Sequence, residues 1–119
     1  MDDLDQYEED CERIKEENAL VVVVTGKMDA VTAPLYVERL KEELAGGVLR
    51  LVVDCAGLEY VSSAGLRAIL TISKELRIKG GTQAYCALPD QVKEVFEISG
   101  FASIIPIHDT RDAALAALA

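Results

Sequence analysis

An α/β fold, with one mixed and mostly parallel β-sheet carrying amphipathic helices, is the architecture this sequence predicts. Three observations point to it. Short apolar runs rich in valine and isoleucine alternate with segments whose apolar residues recur at helical spacing. The strongest run, residues 19–24 (Ala-Leu-Val-Val-Val-Val), is continuous rather than alternating, the pattern of a strand covered on both faces. At 119 residues and 12.9 kDa the chain has room for one ordinary domain.

Residues 11–16 are a weak strand candidate. A turn at Glu17-Asn18 would let them pair with 19–24 as a hairpin, and Thr25-Gly26 reads as the end of that second strand. Over 32–45, Ala33, Val37, Leu40 and Leu44 share one helical face, with Pro34 in the first turn and Gly46-Gly47 as the stop. Residues 49–53 read as a strand closed by Asp54. A helix from about 63 to 77 carries Leu66, Ile69, Leu70 and Leu76 and ends at Gly80-Gly81. Residues 82–87 read as a strand, and Pro89 opens a helix with Val92, Val95 and Phe96 inward and Gly100 as its stop. Residues 104–107 are a short strand whose Pro106 suggests an edge. Residues 109–112 then cap a last helix carrying Leu115 and Leu118. The order is β-β-α-β-α-β-α-β-α. Strands joined through helices are expected to be parallel, with right-handed crossovers.

Half of the residues are hydrophobic and 28% are charged, which excludes a disordered or low-complexity chain. The formal charge of −9 is unevenly placed. Residues 1–18 hold nine acids against Arg13 and Lys15, while the other residues carry 12 acids and 10 bases. Residues 1–9 are therefore expected to be an acidic, partly frayed lead-in, and 10–119 the folded domain. No basic stripe is present to neutralise phosphates, and six Tyr and Phe residues with no Trp make a poor stacking platform, so nucleic acid is not an expected partner. The longest apolar runs fall far short of the roughly 20 residues that span a bilayer, and the start of the chain does not read as a secretory signal. The expected setting is cytoplasmic. Three widely spaced cysteines (Cys11, Cys55, Cys86) and the single His108 do not suggest a disulfide framework or a metal site; reduced, mostly buried thiols are expected.

Residues 54–66 carry the chemistry. A strand gives way to a short connection, and Ser62 and Ser63 fall where a helix begins. Serine is favoured there because its hydroxyl accepts from an unpaired amide of the first turn. If Ser62 is that cap, Ser63 becomes the first helical residue, with its hydroxyl free to face solvent. Gly65 in the same turn costs helix propensity but lets a backbone or a partner surface come close. Asp29 reads equally as a turn former and as a contact to a partner. Asp54 reads as a residue that bonds loop amides and fixes the connection to Ser63. A hydrolase triad of Ser63, His108 and an aspartate has little support, since Val61-Ser62-Ser63-Ala64-Gly65 lacks the first glycine of a nucleophile elbow.

These motifs, in this order, resemble the STAS family of sulfate transporters and anti-sigma factor antagonists. Thr25-Gly26-Lys27-Met28-Asp29 is similar to the family's strand-end Gly-x-x-Asp. Leu51-Val52-Val53-Asp54 is similar to its central strand. Val61-Ser62-Ser63-Ala64-Gly65-Leu66 is similar to its phosphoacceptor motif, and Gly80-Gly81, Pro89 and Ser99-Gly100-Phe101 match its later punctuation. The resemblance spans roughly residues 10–118. It implies a non-enzymatic regulator phosphorylated on Ser63 (Ser62 being the alternative acceptor), with Asp29, Ser62, Ser63, Ala64 and Gly65 contacting the partner. Ser62 departs from the family pattern, which has aspartate there. The implied partners are an anti-sigma factor with serine kinase activity and a phosphatase. ATP and Mg²⁺ would belong to the kinase, leaving this chain, expected as a monomer, without a cofactor. The alternative is a STAS adaptor docking on a non-sigma signalling or transport partner.

Overall fold

Ten residues, Ala19–Met28, form the strand around which the molecule is built (β2). In this computed structural model, which describes residues 8–14 and 19–118, β2 pairs antiparallel with Glu8–Ile14 (β1) and parallel with Arg50–Val61 (β3). Thr82–Cys86 (β4) and Ile107–His108 (β5) continue the sheet in parallel, giving the order β1-β2-β3-β4-β5. The helices are Ala33–Ala45 (α1), Ser63–Ile78 (α2), Asp90–Ile98 (α3) and Arg111–Leu118 (α4). The element order is the expected one, and the first pair is the expected antiparallel hairpin. The Glu17-Asn18 turn and residues 1–7 of the expected lead-in lie outside the described residues. Glu8 and Glu9, the last two residues of that lead-in, are paired in β1.

Strand alternation sorts the side chains into two layers. Leu20, Val22, Val24, Leu51, Val53 and Tyr85 face α1, α2 and α3, whose Tyr36, Leu40, Ile69, Ile72 and Phe96 fill the main core. Val21, Val52, Ala84 and Cys86 face the other way, where Ala114 of α4 covers them. Both faces are thus buried over residues 19–22 of β2 and 51–55 of β3, which is why their sequence there is continuous rather than alternating. In the main core the Tyr36 and Tyr85 hydroxyls lie 2.5 Å apart, each giving the other a polar partner.

Three expected boundaries are corrected. β2 does not stop at Thr25-Gly26 but runs on to Met28, and β3 does not close at Asp54 but continues to Val61. Two register shifts explain both. Val23 pairs with Asp54 but Thr25 with Gly57, and Gly26 pairs with Leu58 but Lys27 with Tyr60, so β3 holds one extra residue at each bulge. Gly26, at φ +80°, bends within the strand rather than ending it. The last strand is the third correction: Phe101–Ser103 form a 3₁₀ turn, Ile105 is buried, and pairing is confined to Ile107–His108, with the Pro106 carbonyl accepting from the Tyr85 amide at 2.9 Å.

Candidate functional site

The bulged extension of β2 and β3 brings two chain crossings together at one end of the sheet: the β2–α1 turn, which holds Asp29, and the β3–α2 junction, which holds Ser62 and Ser63. They are joined directly, since the Ser62 amide donates to the Met28 carbonyl at 2.9 Å. Gly65 completes the contact. A Cβ there would stand 2.6 Å from the Met28 oxygen and 2.8 Å from Val61 Cγ2, so only glycine lets α2 start this close to the end of β2.

The two serines have separate roles in the local structure. Ser62 is extended (φ −92°, ψ 177°), and its Oγ accepts from the Gly65 amide at 3.2 Å while its carbonyl accepts from Leu66. It is the N-cap of α2. Ser63 is therefore the first helical residue, and it is exposed. Ala64 beside it is half-buried. Gly65, expected among the partner contacts, is buried, and the surface that approaches it is this chain's own backbone.

Asp29 is bound into its turn. Its Oδ1 accepts from the Val31 amide at 3.0 Å and the Thr32 amide at 3.2 Å, and its own amide donates to Thr32 Oγ1. The Thr32 hydroxyl, buried, donates on to the Lys27 carbonyl at 2.8 Å. Desolvation works to raise the Asp29 pKa. The bonds from Thr32 and Val31, helped by the Lys27 charge, outweigh it and hold the carboxyl below its ordinary value. Thr32, at the N-cap position of α1, was not singled out in the sequence; its side chain makes no cap bond but turns back to Asp29 and Lys27, partners that helix-start patterns do not announce.

Against this geometry, the STAS domain family model matches residues 11–114. The chain belongs to the STAS family. BtrV of Bordetella bronchiseptica, described as a candidate anti-sigma factor antagonist, is 40% identical over 103 residues, covering 87% of this chain and 89% of that protein. The crystal structure of an anti-sigma factor antagonist from Mycobacterium paratuberculosis matches with a TM-score of 0.86 at 25% identity, over 96% of this chain and 95% of that one. The Bacillus cell fate determinant SpoIIAA in its phosphorylated form shares the fold, with a TM-score of 0.73 at 17% identity over 94% of this chain and 100% of that one.

Asp54 of this STAS domain, expected to bond amides of a loop leading to Ser63, instead bonds an amide within β3 itself, that of Ala56 at 3.0 Å in the first bulge. Its second oxygen takes the guanidinium of Arg111 at 3.0 and 3.2 Å, an ion pair to α4 that sequence reasoning missed. Fifty-seven positions separate the two residues, so no local pattern announces it. Cys55 and Cys86 are free, buried thiols. Burial, reinforced by the Asp54 charge and opposed by Arg111, pushes the Cys86 thiol up to about 11; burial raises Cys55 as well. His108 pairs in register with Cys86 on the edge strand, and no hydrogen bond joins its side chain to Ser63. Among the described residues, no helix is long and apolar enough to cross a membrane.

Proposed function

We propose that this STAS domain is an anti-sigma factor antagonist that works as a non-enzymatic partner switch in the cytoplasm. Unphosphorylated, it binds an anti-sigma factor that is also a serine kinase. The kinase moves the γ-phosphate of its own Mg-ATP to Ser63, the complex separates, and a phosphatase restores the hydroxyl. One observation carries the reading: Ser63 is exposed at the first position of α2, while the Ser62 hydroxyl is already engaged by the Gly65 amide. The likeness to anti-sigma factor antagonists in sequence and fold supports the partner class.

Phosphoserine adds about −1.5 to −2 charge. Facing a partner carboxylate at about 6 Å with an effective dielectric near 20, it is repelled by roughly 4–6 kcal/mol before screening. Even if solvent and salt reduce this several-fold, the ~1.4 kcal/mol needed for a tenfold loss of affinity remains within reach. No refolding is required. The test is affinity for the cognate anti-sigma factor. Ser63→Ala should bind and accept no phosphate, Ser63→Asp should bind at least tenfold more weakly, and Ser62→Ala should still be phosphorylated. A Ser63→Asp protein that binds like wild type contradicts the proposal.

A further inference from the structure

We propose that Arg67 reads the charge state of Ser63, pairing with the phosphate when it is present and with a carboxylate of the docked partner when it is not. The inference rests on Ser63 as the phosphoacceptor and adds a cation to that site. Arg67 lies four residues along α2 and is exposed like Ser63. Helical side chains lean toward the N-terminus, so the turn that contains Ser63 is within reach of the Arg67 guanidinium. An anion placed N-terminal to a cation at this spacing is the favoured order. The phosphate oxygens and the guanidinium fork also match as acceptor and donor sets. Among the described residues Arg67 pairs with no carboxylate, whereas Lys41 on the facing helix has Glu75 at 4.0 Å.

Arg67 has a second surround. It stands on the rim of an open groove of about 690 Å³ between α1 and α2, whose apolar lining includes Ala33, Val37, Ala64 and Ala68. The groove begins beside the site, since Ala64 adjoins Ser63 and Ala30 adjoins Asp29. An apolar segment of the anti-sigma partner carrying a carboxylate opposite Arg67 satisfies both the lining and the unmatched cation. Phosphate on Ser63 then acts twice, repelling that carboxylate and drawing Arg67 away from it.

The experiment installs phosphoserine at position 63 during synthesis, with no kinase involved, and follows its ³¹P shift with pH. The second phosphate pKa, ordinarily near 6, should be about 0.3 unit higher in Arg67→Gln than in the Arg67 protein, with Arg67→Lys between them. Equal values in all three proteins overturn the proposal. Without phosphate, Arg67→Gln should bind the anti-sigma factor several-fold more weakly at an unchanged urea midpoint; unchanged binding removes the partner half of the inference. A kinase that ignores Ser63 would sink the phosphoacceptor reading instead, and the titration would not register it.

Discussion

Gly65 holds the start of α2 against the end of β2, and no other residue fits that place. Its Cβ in an alanine variant would meet the Met28 carbonyl at 2.6 Å, and backbone gives way less readily than a side-chain tip. Gly65→Ala should cost about 1–3 kcal/mol in urea unfolding, although alanine is the better helix former in an open position. A stabilised variant would mean that the two segments are not packed this closely. Asp29 makes a pH prediction from the same junction. Its folded pKa is lowered, so its contribution to stability is fully present above the unfolded value of about 3.9 and is lost as pH falls through the folded value. The gap between wild type and Asp29→Ala in urea midpoint should therefore be larger at pH 7 than at pH 2.5. An equal gap at both would show that the charge does not hold the turn. Ser62 and Ser63 were legible as a cap and its neighbour because capping depends on local backbone. The burial of Gly65 was not, since it depends on a carbonyl 37 positions away in sequence.

At the scale of elements, α1, α2 and α3 were legible because each carries an apolar stripe that ends at a glycine, and α4 from the polar residues 109–112 ahead of its stripe. The strands were legible only where their period is unbroken. Each bulge in β3 reverses the alternation, so the stretch from Asp54 to Val61 does not look like a strand although it pairs as one. Gly57 belongs to this distortion, because a Cβ there would lie 2.6 Å from Thr25 Cγ2. The element most exposed to a single change is α4, which, among the described residues, covers the second face of the sheet and is tied to it by Arg111 and Asp54. Arg111→Ala leaves a mostly buried carboxylate with one of its partners gone, at a cost of about 2 kcal/mol in urea unfolding. Cys86 lies under that helix, so its labelling by a thiol reagent should speed up in the same variant. Labelling at the wild-type rate would show that α4 stays docked without the ion pair.

Across the whole molecule, the functional end is a product of topology. The parallel strands β2 and β3 both finish at the same end of the sheet, so their following helices start side by side, which is where open α/β sheets place their sites. Asp29 and Ser63, 34 positions apart, are brought together by that pairing rather than by any contact of their own. The order of strands and helices was readable from the alternation of periods, and the place of Ser63 from its cap. The groove beside it and the unmatched Arg67 were not, because both arise from two helices meeting. The switch then needs a change of charge on a preformed surface and no change of fold. The most direct test is to incubate the protein with its cognate anti-sigma kinase and Mg-ATP, map the modified residue by mass spectrometry, and measure the affinity of the product. Phosphate on Ser63 alone, with binding weakened at least tenfold and an unchanged fold by NMR, is the expected result; phosphate elsewhere, or a Ser63-phosphorylated protein that still binds as tightly, would contradict it.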